Sequence, residues 1–441
     1  MFRYLSIKDL KEQLLFLSKH NFMLEREIDK IRQHEHLSEK EHTALKRAKA
    51  MDMVRFAKKH SAYYRDRYNN IDVTSDEAYD DLPMIFKQDI LANKNAMCTT
   101  MPLFLKEGLT SGTSGTPLTV YRSPGSIIRE NAYVWYFRSS HGLNVGDPIV
   151  SMRGKLDSST LSYYNKAENV LYLSIYLLSA ANIRKYAQLI KDFQPKAICA
   201  LPSSMYTLVN LFEQEGMDVH VPMVFTASST LYPFQRDKIE NVLTTNLIDW
   251  YGNAERTITL GQCPYGNYHE FPMYSLNEFR SNGVITTSLT NKSFPLIKYL
   301  VDDKFTLLNG PCGCGREKAI KSVEGRFEDA VVLADGSLVN GLGIGFQGIK
   351  HLQYAQIVQD EIDRIRVNLV TSPGFSKQDE ETILKRLRQR MNESVIIDFY
   401  QVQESDIIKT AAGKFTLVIS RLNIGKLADS LRTFENRGAV A

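Results

Sequence analysis

The chain has 441 residues, 43% hydrophobic and 24% charged, with 54 basic against 50 acidic side chains and five cysteines. That length exceeds one ordinary core, so a large domain and a smaller one are expected. The near balance of charge, +4 formally, gives no basis for nucleic acid or an anionic membrane as partner. No apolar run approaches the roughly 20 residues of a membrane-spanning helix, so no membrane insertion is expected. Met1-Phe2-Arg3-Tyr4-Leu5 lacks the apolar stretch of a signal peptide, and sparse, odd-numbered cysteines fit a reducing compartment. The expected location is cytoplasmic.

Residues from about Leu10 to Tyr68 are charged, periodic and free of Gly and Pro, which predicts helices. Ser38-Glu39-Lys40-Glu41 is a capping box. His34, His36 and His42 have no Cys or Asp at ligand spacing and are expected on a solvated face, as are Lys46, Arg47, Lys49 and Arg55. A short helix from Lys87 leads to Leu109-Thr110-Ser111-Gly112-Thr113-Ser114-Gly115-Thr116-Pro117, followed by the β-prone run Leu118 to Tyr121. Glycines leave main-chain N–H groups uncovered, and with Ser and Thr hydroxyls they can cradle a phosphate. On composition alone the stretch would equally suit a flexible linker.

Ser126 to Ser140 is predicted as a helix carrying Trp135 and Tyr136, one wall of a substrate pocket whose other wall is Asn253–Glu255. Apolar runs then alternate with helical ones up to Trp250, the signature of α/β layers with partly parallel sheets. Ligands in such sheets sit at the carboxyl ends of strands. Ser228-Ser229-Thr230 follows one such end and Tyr251-Gly252-Asn253-Ala254-Glu255 another. Shorter strands, including Ile362 to Leu369, and one helix, Asp379 to Met391, follow. The expected fold class is α/β, α+β overall. A large N-terminal domain of layered sheets and helices (1–80 helical, 81–326 core) would carry a smaller mobile C-terminal α+β domain (327–441).

In order and spacing these motifs resemble the adenylate-forming superfamily, in its phenylacetate–CoA ligase-like branch, near members found with capsule and polysaccharide biosynthesis. The resemblance runs from about Val54 to Ser420. It implies that Ser111, Gly112, Thr113, Ser114, Gly115 and Thr116 hold the β- and γ-phosphates of ATP. Ser228, Ser229 and Thr230 would pack on adenine. Tyr251, Gly252, Asn253 and Glu255 match a Tyr-Gly-x-x-Glu motif that stacks on the base and holds Mg²⁺. In Lys298-Tyr299-Leu300-Val301-Asp302-Asp303, Asp303 would accept the ribose hydroxyls, with Asp302 the alternative because Leu300–Asp302 departs from the family pattern. Gly325-Arg326-Phe327-Glu328-Asp329 is similar to the interdomain hinge, with Arg326 on ribose or phosphate and Glu328 or Asp329 the pivot. Lys409-Thr410-Ala411-Ala412-Gly413-Lys414 resembles the closing motif, whose lysine, here Lys414, bridges the attacking carboxylate and the α-phosphate.

Cys263, His269, Cys312 and Cys314 offer three thiolates and an imidazole, the donor set of structural tetrahedral Zn²⁺. Cys98 and Cys199 are expected to be buried apolar groups. The implied partners are ATP, a small carboxylic acid and an acceptor thiol or amine. Coenzyme A is the default acceptor, and the protein would act alone or as a homodimer. A phosphotransferase releasing ADP and a catalytically silent nucleotide-binding descendant are the rival expectations.

Overall fold

The computed structural model describes residues 12–17, 20–109, 118–152, 156, 159–175, 177–281, 283–326, 331–333, 338–339, 342–346, 348–389, 391, 395–408 and 415–422. The glycine-rich stretch 110–117, the hinge pair Glu328 and Asp329, and Lys414 lie outside these residues, as does the side chain of Arg326.

The first helices form where local chemistry starts them. Asn21 accepts from the Met23 amide to begin Phe22–Gln33, and Ser38 with Glu41 closes the expected capping box of Glu39–His60. Helices Ile183–Phe193, Pro202–Gln214 and Pro233–Leu243 alternate with strands of a mixed sheet. Its spatial order is Asp303–Leu307, Ile320–Arg326, Tyr268–Glu270, Thr259–Gln262, Asn246–Gly252, Met223–Ala227, Ala197–Ala200, Ile149–Met152, Val170–Leu173 and Ser162–Asn165. The run from Asn246–Gly252 to Val170–Leu173 is parallel, and the flanking strands are antiparallel.

Alternating side chains divide the parallel strands between two cores, as a period of two requires. Val150, Met152, Ile198, Ala200, Val224 and Leu247 pack with the three crossover helices. Ile149, Ala197, Cys199, Phe225 and Ile248 face the helix Pro124–Ser140 and, beyond it, Phe22–Gln33. A third core joins Glu39–His60 to the hairpin strand Thr119–Arg122 and the three-stranded antiparallel sheet Ser275–Arg280, Gly283–Ser288, Tyr299–Val301. Cys98 and Cys199 are buried.

Residues 331–418 build a core of their own around the four-stranded sheet Ile396–Gln401, Arg364–Thr371, Leu352–Glu361, Val418–Ser420 and the helix Lys377–Arg388. That core also takes in Tyr206 and packs against Tyr232, both from the helical layer before it. Tyr206 and Tyr354 meet edge-to-face at 5.4 Å, and the Thr207 and Tyr354 hydroxyls are hydrogen-bonded.

One expectation needs correction. Lys46 is buried rather than solvated, because Glu270 gives its ammonium a partner at 3.6 Å. Trp135 and Tyr136 are buried against the N-terminal helices, where the indole N–H donates to His20 Nε2 at 3.0 Å and the Tyr136 hydroxyl donates to Glu35, while Glu130 of the same helix approaches Arg256 beside the Asn253–Glu255 turn. The strand expected over Ile362–Leu369 is present as Arg364–Thr371, the second arm of a hairpin with Leu352–Glu361.

Candidate active site and metal centre

Two neighbouring parallel strands, Met223–Ala227 and Asn246–Gly252, pair Ala227 with Trp250 and so bring their carboxyl ends side by side. From one end emerge Ser228, exposed and in left-handed backbone (φ +74°), and the half-buried Ser229 and Thr230. From the other emerges the turn that carries Glu255. The sequence-predicted groups Ser228–Thr230 and Tyr251–Glu255 are therefore brought together at one edge.

Tyr251 lies on the strand before the turn. Its hydroxyl donates to Asp303 Oδ2 at 2.5 Å, and its ring meets Phe305 edge-on at 5.3 Å. Asp303 is buried and stands opposite Arg326 in the register of the antiparallel pair, whereas Asp302 is exposed. Of the two acidic candidates, Asp303 is the one positioned against Tyr251.

The turn itself is held from within and from three neighbours. Asn253 Oδ1 accepts from the Thr257 amide at 2.9 Å, and its Nδ2 donates to Thr257 Oγ1 at 2.7 Å. The Asn253 amide is thus engaged in shaping the turn. Thr286 and Ser288, from the three-stranded sheet, donate to the Thr257 and Arg256 carbonyls at 2.6 and 3.2 Å. Arg122 Nη2, from the hairpin that flanks residues 110–117, donates to the Ala254 carbonyl at 2.5 Å. The Tyr299 hydroxyl donates to Glu255 Oε1 at 3.2 Å. Bracing of this kind fixes a carboxylate before any ligand arrives, which is what an ion or phosphate site needs.

Sequence reasoning missed Arg122, Tyr299 and the pair Arg256–Glu130 around this turn. Arg256 was visible as the residue after Glu255. Its partner Glu130, on the far helix, leaves no mark in spacing.

A second cluster sits where two glycine turns meet. Cys263, His269, Cys312 and Cys314 place their ligand atoms within 4.8 Å of one another. The Cys263 and Cys312 sulfurs are 3.7 Å apart, far beyond a disulfide and close to the ~3.8 Å edge of a tetrahedron with Zn–S bonds of about 2.3 Å. Cys314 Sγ lies 3.2 Å from His269 Nε2, while Nδ1 of that ring meets the Lys318 carbonyl at 3.0 Å, leaving Nε2 for a metal. Burial pushes the His269 imidazole below its ordinary range, with the Arg316 charge adding to the effect and the Lys318 carbonyl opposing it, a direction that favours the neutral ring a ligand needs. Gly313 packs beneath the exposed Tyr265 ring: a Cβ there would sit 2.6 Å from it, so the ring would have to move. The residues present fit four-coordinate zinc.

Comparison with known proteins agrees with this architecture. The CapK C-terminal domain family matches residues 332–421. The chain is 23% identical over 363 residues to Protein CapK of Staphylococcus aureus, covering 77% of this chain and 80% of that protein. It is 25% identical over 315 residues to phenylacetate-coenzyme A ligase of Pseudomonas putida, covering 64% of this chain and 71% of the relative. Among solved structures, 2-hydroxyisobutyryl-CoA ligase in the postadenylation state with 2-HIB-AMP superposes with a TM-score of 0.68 at 14% identity, over 91% of this chain and 94% of the other. No described helix is long and apolar enough to cross a membrane.

Proposed function

We propose that this chain, which belongs to the adenylate-forming superfamily in the branch of phenylacetate–CoA ligase and CapK, activates a carboxylic acid with ATP and passes the acyl group to coenzyme A. The observation that carries the reading is the Tyr251–Asp303 hydrogen bond beside Ser228–Thr230 and Glu255. An aromatic ring, a buried acid for two ribose hydroxyls, and a braced carboxylate meet at one strand edge, which suits a nucleoside triphosphate.

In the first half-reaction a substrate carboxylate oxygen attacks the α-phosphorus. The P–O bond to pyrophosphate breaks and an acyl–adenylate anhydride forms. Ser111, Gly112, Thr113, Ser114, Gly115 and Thr116 are assigned to the departing phosphates, and Tyr251 to the base. Asp303 is assigned to the ribose in preference to Asp302, because Tyr251 aligns its carboxylate. Arg326 follows as a ribose or phosphate contact, since its strand position is opposite Asp303. Glu255 would hold Mg²⁺ against the phosphates, and that ion would supply charge neutralisation. Lys414 bridges the carboxylate and the α-phosphate. In the second half-reaction the acceptor thiol attacks the acyl carbon and AMP leaves. Residues 327–441 are proposed to turn about Glu328 or Asp329 between the steps. Cys263, His269, Cys312 and Cys314 would hold a structural zinc.

The test is carboxylate-dependent pyrophosphate release over an acid panel, with Lys414→Ala alongside. Wild type is expected to release pyrophosphate and form AMP, and Lys414→Ala to lower adenylation by about 10²–10³-fold. ADP as product would establish a phosphotransferase instead, and unchanged adenylation in Lys414→Ala would remove that assignment. Consumption of the acyl-adenylate by an amine rather than coenzyme A would make the enzyme an amide-forming ligase.

A further inference from the structure

Arg122 and Arg256 are two half-buried guanidiniums beside the Glu255 turn. Arg122 ends the strand Thr119–Arg122, and its guanidinium folds back over Gly108. A Cβ at Gly108 would lie 2.3 Å from Arg122 Cζ, so the absence of a side chain there creates the berth. Arg122 Nη2 reaches the Ala254 carbonyl, but its Nε is buried with no acceptor among the described residues. Arg256 sits in left-handed backbone (φ +56°) and aims its side chain at the helix Pro124–Ser140. There its Nε comes only to 4.0 Å from Glu130 Oε1, and its Nη1 is buried with no acceptor among the described residues. The other Glu130 oxygen is taken by the Tyr274 hydroxyl at 2.6 Å.

Burial, and then the charge of Arg256, push Arg122 below the ordinary guanidinium range; Glu130, Tyr274 and Glu255 oppose that shift. Beside Glu130 the pair presents two guanidiniums to one carboxylate, and each keeps a buried N–H with no acceptor among the described residues. Buried donors of a charged group without an acceptor are costly, and they persist where a ligand completes them. Tyr251 and Asp303 meet Phe305 on one flank, whereas Arg256 reaches for Glu130 on the helix Pro124–Ser140.

Resting on the ligase reading, we propose that Arg122 and Arg256 recognise a second, anionic group on the acid substrate. One carboxylate of a dianionic acid is then activated while this pair holds the other end in charge-assisted hydrogen bonds. Glu130 tunes the site by cancelling half of its charge, and excludes acids whose far end is apolar less strongly than it would if absent.

The experiment uses the full chain and matched acids that differ only in the second carboxylate: butyrate with succinate, hexanoate with adipate, benzoate with isophthalate. Pyrophosphate release gives kcat/KM for each, and KM for ATP is read in every variant. Wild type is expected to favour at least one dianion over its monoanionic partner by about tenfold or more. Arg256→Gln should bring that ratio to about one, and Gly108→Ala, which intrudes on the Arg122 guanidinium, should lower it. Glu130→Gln should raise it, a gain that a misfolded variant could not produce. Release with monoanions but no dianion preference overturns this inference and leaves the ligase reading standing. A rise in KM for ATP without a change of the acid ratio in Arg256→Gln assigns the pair to the phosphates and also overturns it. Release with no acid overturns both.

Discussion

Tyr251 and Asp303 act on each other before either meets a ligand. A phenol that donates at 2.5 Å holds a carboxylate in one rotamer, so the oxygens that would receive two ribose hydroxyls are already aligned. Tyr251→Phe keeps the ring and removes only that alignment. Hydrogen bonds to charged groups contribute about 1.5–3 kcal/mol, so KM for ATP is expected to rise roughly tenfold or more with the ring still stacking. Initial-rate kinetics at saturating acid measure this. An unchanged KM would mean that Asp303 is held by its burial alone. Asn253 illustrates a different division of labour: its amide is spent on the turn, so its contribution to a nucleotide passes through the shape of the backbone.

At the scale of elements, the Cys/His cluster joins strands that carry site residues. His269 lies on Tyr268–Glu270, which pairs with Ile320–Arg326, and that strand pairs in turn with the one that starts at Asp303. The proposed zinc would therefore fasten the antiparallel flank of the large sheet next to the Asp303–Arg326 register. Wild type purified without chelator is expected to contain one zinc per chain and Cys312→Ser distinctly less, with a melting temperature lowered by several degrees. Metal analysis and calorimetry read both. Zinc-free wild type of unchanged stability would show four ligands packed for another reason.

This flank is also where sequence reading stopped. The parallel strands Ala197–Ala200 and Met223–Ala227 were legible because each is a largely buried apolar run followed by a helix that opens on proline, Pro202–Gln214 and Pro233–Leu243. Tyr268–Glu270 is only three residues long and carries a histidine and a glutamate, so no periodicity announces it. The capping box at Ser38 was readable because its chemistry is local. The burial of Lys46 was not, because Glu270 lies more than two hundred positions away and only the fold brings it near. Trp135 and Tyr136 were recognisable as buried aromatics, but which side of their helix faces Phe22–Gln33 is decided by tertiary packing. At the site, Tyr251, Glu255 and Asp303 were readable as motif positions. Their mutual arrangement was not, because sheet register sets it.

At the scale of the whole molecule, the lobe formed by residues 331–418 does not close its core unaided. Tyr206 stands against Tyr354, and the ring of Tyr232 lies 6.4 Å from that of Phe415. If this lobe turns between two half-reactions as proposed, it must withdraw the buried Tyr206 and the half-buried Tyr232 from these contacts. Burial of a large side chain contributes roughly 1.5–3 kcal/mol, so exposing Tyr206 alone would weight the observed pose by on the order of 10–10². The pair would then act as a spring loading on the catalytic cycle, with ligand binding supplying the opposing free energy. Replacing Tyr206 with alanine should speed the return between poses while costing stability. Stopped-flow acyl transfer from preformed acyl-adenylate measures the first and chemical denaturation the second. If acyl transfer were unaltered in a destabilised variant, the lobe's motion would be governed elsewhere. On that proposal the tempo of the enzyme would be set in the helical layer that supplies Tyr206 and Tyr232 rather than by the residues assigned to ATP.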